Sequence, residues 1–120
     1  MNKGDDLAGR LLAFTVQIIK LVGELPNTIV GRHIGAQLLR SGTSPGANYE
    51  ESRGAESRAD FVHKLGIVLK ELKETRYWLH VIYRTEILSH RVESLIKECE
   101  ELCAIIAKSI FTAKSKKKNN

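Results

Sequence analysis

A chain of 120 residues, 42% hydrophobic and 28% charged, has the make-up of one globular domain, large enough for a single core and too small for two. No apolar run approaches the roughly 18–20 residues that span a bilayer, and MNKGDDLAGR lacks the apolar core of a secretory signal, so the cytoplasm is the expected location. The formal net charge of +5 belongs to one end: setting aside Lys114, Lys116, Lys117 and Lys118 leaves 15 basic against 14 acidic residues. Residues 1–112 are therefore expected to form the folded body and 113–120 a disordered basic tail.

No sustained alternation and no Asn-Gly or Asp-Gly hairpin turn signals a strand. Helical periodicity begins at once. Leu7, Leu11, Phe14, Ile18, Leu21 and Leu25 step by four and three, behind Asp5 and Asp6, which complement a helix dipole. Leu12, Val16, Ile19 and Val22 add a second apolar stripe, wider than one bundle core uses, so another subunit is expected to cover part of it. Pro26 stops this helix. Asn27 or Thr28 caps the next, whose stripe runs through Val30, Ile34, Leu38 and Ser41 before turning to Ser44, Pro45 and Asn48.

Gly31, Gly35, Gly42 and Gly46 make two G-x-x-x-G pairs in this second segment. Each interior glycine costs a helix about 1 kcal/mol relative to alanine, a penalty that close approach to a neighbouring helix would explain. The alternative is a loop at SGTSPG, since Pro45 removes a helical hydrogen bond. One long helix, kinked or loosened near Ser41–Pro45, is the preferred reading. Ser57 followed by Asp60 opens a third helix with the stripe Phe61, Leu65, Val68, Leu72, Thr75, Leu79 and Ile82. Tyr77 and Trp78 read as core or interface anchors near its end. A loop around Leu88–His90 leads to a fourth helix carrying Val92, Leu95, Ile96, Cys99, Leu102, Cys103, Ile106 and Ile110. Four such segments with short connections predict an all-α, up-down-up-down antiparallel four-helix bundle.

Placing the second reversal near Gly54–Glu56 makes facing positions sum to about 111. Arg40 then faces Glu71, Ser44 faces Ile67, Pro45 faces Gly66, Asn48 lies near His63 and Lys64, and Glu51 faces Asp60 within a turn of Lys64. With Glu74 these residues form a polar cluster, Arg40, Ser44, Asn48, Glu51, Asp60, Lys64, Glu71 and Glu74, read as fixing the register of two helices that meet through charges and small residues. An enzymatic reading of the same acids is disfavoured. E-x-x-H, the di-metal bundle signature, does not occur, and Asp60-Phe61-Val62-His63 is a single approximation to it. The acids are matched by Arg40, Arg58 and Lys64, the four histidines are scattered, and Cys99 and Cys103 read as core thiols too far apart on one helix for a disulfide. No catalytic residue, cofactor or metal is expected.

The segments IIKLVGELPNT, QLLRSGTSPGANYEES, SRADFVHKLGIVLKELKETRYWL and ELCAIIAKSI strongly resemble the four-helix-bundle proteins encoded in intervening sequences of bacterial 23S ribosomal RNA genes. The match spans about Ile18 to Ile110. Pro45 is its clearest departure, since the family usually carries an aliphatic residue there. The resemblance implies a homo-oligomeric ring, a homopentamer as the expected form, similar to the accessory variability protein of diversity-generating retroelements. It implies two kinds of partner besides self: RNA or DNA bound by the ring, or a protein such as a reverse transcriptase held without direct nucleic-acid contact. The basic residues lying mainly off the apolar seams, Lys20, Arg32, Lys70, Lys73, Arg76 and Arg84, are candidate nucleic-acid contacts, with Lys114, Lys116, Lys117 and Lys118 of the tail.

Overall fold

The computed structural model describes residues 2–88 and 90–119, with side chains described as far as Lys116. Four helices account for nearly all of them: α1 (Lys3–Glu24), α2 (Ile29–Arg53), α3 (Arg58–Thr85) and α4 (Val92–Asn119). They form a rod of 53 × 23 × 22 Å in which each helix packs on its chain neighbours and α1 meets α4 over a short stretch to complete the bundle. No described helix is long and apolar enough to cross a membrane.

The caps follow the sequence closely. The Asn2 side chain accepts from the Asp5 amide, Thr28 from Gly31 and Ser57 from Asp60, so each of the first three helices starts with an orphan amide satisfied. The α3–α4 connection turns through two residues in the left-handed region, Glu86 at φ 56° and Arg91 at φ 69°. The core is the predicted set of stripes. Leu11, Phe14, Ile18 and Leu21 of α1, Leu38 of α2, Leu65, Leu72 and Leu79 of α3, and Cys99, Leu102 and Ile106 of α4 are all buried.

Helix α2 runs unbroken through Pro45, so the loop alternative at SGTSPG is overturned. Pro45 has no amide to offer the Ser41 carbonyl. Around it the Thr43 hydroxyl donates to the Leu39 carbonyl at 2.6 Å and the Ser44 hydroxyl to the Arg40 carbonyl at 2.8 Å. Pro45 itself is buried, where its ring fills space in the bundle.

Two details of α2 and α3 differ from expectation. Val30 is more than half exposed, and Gly31 takes the inward position because the chain folds back on Pro26, whose carbonyl a Cβ at Gly31 would strike. Gly66 does not face Pro45: it is exposed, with open space around it. The boundary expected at 112 also moves. Helix α4 continues to Asn119, Ala113 is buried, and lysine is a good helix former whose charge suits a helix C-terminus.

Candidate functional site

The α2–α3 contact carries an ionic seam centred on Arg40. Its Nη1 lies 3.5 Å from Glu71 Oε2, its Nη2 bonds Glu74 Oε2, and it also donates to Gln37 Oε1 at 3.2 Å. Trp78 Nε1 donates to the same Glu74 oxygen at 3.2 Å, with Tyr77 and His33 edge-on to the indole at centroid distances of 5.0 and 6.1 Å. The Trp78 hydrogen bond, helped by Arg40, holds the Glu74 carboxyl below the usual carboxylate range. Arg40 is half exposed and Glu71 is 18% exposed, so the pair sits at the rim of the core rather than inside it.

The rest of the predicted cluster is dispersed. Ser44 turns its hydroxyl back to its own helix. Lys64 pairs with Asp60 on its own helix at 3.7 Å, while Glu51 is exposed; no ion pair or hydrogen bond joins Glu51 to Lys64 among the described residues. Both lie toward the 54–57 loop end of the α2–α3 pair, away from Arg40. Asn48 is half-buried, with no hydrogen bond among the described residues, and His63 is exposed. Three further ties were not legible from periodicity. Arg10 grips Glu98 with two bonds, 2.6 and 3.2 Å, and reaches Glu101 at 3.1 Å. Arg53 meets Asp5 at 2.6 Å, and Glu24 receives His90 and Arg91 at 3.2 and 3.4 Å.

Of the candidate nucleic-acid contacts, Lys20, Lys70, Lys73, Arg84, Lys114 and Lys116 are exposed and Arg76 is half-buried. Arg32 is exposed, with its guanidinium bonded to Asn27. The side chains of Lys117 and Lys118 lie outside the described residues. No group of three His, Cys, Asp or Glu residues is placed to hold a metal among the described residues. Cys99 and Cys103 are buried free thiols. Cys99 donates to the Leu72 carbonyl at 3.2 Å, and its hydrogen bond with Cys103, together with burial, pushes its thiol up.

The apolar stripe on the outer flank of α1 remains uncovered: Leu12 is 65%, Val16 40% and Ile19 50% exposed. It runs toward Val22, which lines a shallow α1–α2 groove with Leu25, Gly35, Ala36 and Leu39.

The family model for the 23S rRNA-intervening sequence protein matches residues 8–108, nearly the whole bundle. The chain belongs to this family. Among solved structures, a protein of unknown function from the S23 ribosomal protein family of Bacteroides thetaiotaomicron is 38% identical, with a TM-score of 0.81 over 91% of this chain and 98% of that one. No curated protein matches. The family assignment agrees with the resemblance carried by SGTSPGANYEES and SRADFVHKL.

Proposed function

We propose that this 23S rRNA-intervening sequence protein acts without catalysis, as a homo-oligomeric ring, pentameric in its expected form, that binds nucleic acid. One observation carries the reading: the division of the cations. Every ion pair between elements uses an arginine, or His90, whereas Lys20, Lys70 and Lys73 stand exposed with no acidic oxygen within 4 Å among the described residues. Arg10, Arg40, Arg53 and Arg91 tie the elements together, and the exposed lysines, with Arg84, are left for solvent or a polyanion. The uncovered Leu12–Val16–Ile19 stripe supports assembly, and a ring would repeat each weak patch at high effective concentration. The family's tie to 23S rRNA genes favours an RNA or DNA partner. The non-enzymatic part rests on the neutralised acids: Glu71 and Glu74 face Arg40 and Asp60 faces Lys64.

Anisotropy titrations with RNA and DNA at rising salt test the binding, and sedimentation tests the ring. Affinity should fall steeply with salt. No binding near ~50 mM salt overturns the nucleic-acid reading, and a monomer at tens of micromolar overturns the ring. The same uncovered stripe favours a second reading, a scaffold that holds a protein partner such as a reverse transcriptase without touching nucleic acid. A pull-down in which the partner survives nuclease treatment would select it.

A further inference from the structure

At the end of the rod formed by the 54–57 loop, α1 and α4 part and leave a groove of about 750 Å³. Its floor is apolar and partly aromatic: Leu7, Tyr49, Phe61, Ile105 and Ala113. Its rim carries Lys3, Arg53, Arg58, Lys108 and Lys116, and no acidic residue lines it. Among the described residues, Lys3, Lys108 and Lys116 have no acidic oxygen within 4 Å, and Arg58 only grazes the Ala113 carbonyl at 3.5 Å. Arg53 is the exception, already held by Asp5 and Glu50. Burial pushes the Tyr49 hydroxyl up, so it stays protonated and adds a neutral polar group to the floor.

We propose that this groove binds a phosphorylated nucleoside, with the base on the Tyr49–Phe61 floor and the phosphate among Lys108, Lys116, Lys3 and Arg58. The size falls within the range of small-molecule sites, and an apolar bed with a few charged groups is their usual composition. Four unneutralised cations from three helices suit a multiply charged anion better than a single carboxylate. Aromatic side chains in a positive groove suit a base better than an aliphatic chain. None of the floor residues belongs to the polar cluster or to the candidate nucleic-acid contacts, and of the rim only Lys116 does, so the site does not depend on the ring binding nucleic acid along its faces.

The test is a titration of the full chain with adenosine 5′-monophosphate, adenosine and inorganic phosphate, followed by amide chemical shifts. The monophosphate should move resonances of Phe61, Ile105 and Lys108 and bind at least tenfold tighter than either part alone. Lys108→Glu should weaken it about tenfold or more, while Lys97→Glu, an exposed change near the other end of α4, should not. Phe61→Ala should weaken the monophosphate and leave inorganic phosphate alone; a thermal scan checks that it folds, and Lys108→Glu carries the test if it does not. Groove shifts absent at millimolar monophosphate, or equal affinity for all three probes, overturn the proposal. A paired titration with 5′-phosphorylated and 5′-hydroxyl RNA then separates the sources: preference for the phosphorylated strand assigns the groove to strand ends, and indifference assigns it to free nucleotides.

Discussion

The glycines of α2 make the most direct test of how the first two helices are held together. A Cβ added at Gly42 would lie 2.7 Å from Ile18 Cγ2, 3.1 Å from Cγ1 and 3.3 Å from Cβ. Ile18 is fully buried and β-branched, so it cannot swing into solvent, and the helices must move apart or Ile18 must leave its rotamer. Overpacking of this kind costs about 1–3 kcal/mol, against roughly 1 kcal/mol that alanine returns in helix propensity. Gly42→Ala should therefore destabilise by up to about 2 kcal/mol. Gly66→Ala is the matched control: it is mid-helix and exposed, with nothing within 4 Å, and should stabilise by about 1 kcal/mol. Urea midpoints at one fixed protein concentration read both, so that assembly does not confound the comparison. Ile18→Leu, which removes the Cγ2 branch, should recover part of the loss in the double variant. If Gly42→Ala is as stable as Gly66→Ala, close approach of α1 and α2 is not the reason for the glycines.

Arg40→Ala should cost only about 1 kcal/mol, because its side chain is half exposed, and the loss should shrink in 1 M salt. Sedimentation of the same variant asks whether the seam also sets subunit number; unchanged stability and unchanged mass together would remove it from the architecture. Glu74 has a folded-state pKa below its unfolded value, so its contribution is present above the ordinary carboxylate value and lost as pH falls through the depressed one. The gap in thermal midpoint between the parent and Glu74→Gln should close on acidification in that window, and a gap constant with pH would refute the assignment. Ser57→Ala removes the acceptor for the Asp60 amide and should lower stability by about 1 kcal/mol, with Ser57→Asp restoring it.

Burial periodicity was legible in the sequence nearly residue by residue, because heptad stripes encode which face of each helix turns inward. The Arg40–Glu71 contact was legible for the same reason: one short loop fixes a register, and the facing positions follow by addition. That arithmetic failed at Glu51, Lys64 and Gly66 because it matches levels along two helices and not faces: Gly66 and Glu51 point outward beside the inward Leu65 and Ser52, and Lys64 pairs along its own helix with Asp60. Helix α4 carries no such simple register to α1, so Arg10 with Glu98 and Glu101 could not be read. Neither could the end groove, which depends on where α1 and α4 separate.

The three surfaces divide cleanly around α1. At 100° per residue, Lys3 and Leu7 lie on the flank turned toward α4, while Leu12, Val16 and Ile19 lie on roughly the opposite one. A subunit seated on the apolar stripe therefore need not cover the groove, and the Arg40 seam, on the α2–α3 side, need not be desolvated by either. This separation explains why a bundle this thin can carry charges at one helix contact and glycines at another. The glycine contact brings α1 and α2 close enough that their outer flanks form one shallow apolar surface, and the ionic contact joins α2 to α3. Assembly through the stripe would then leave one open, basic end groove on every subunit, so ligand stoichiometry should equal subunit number.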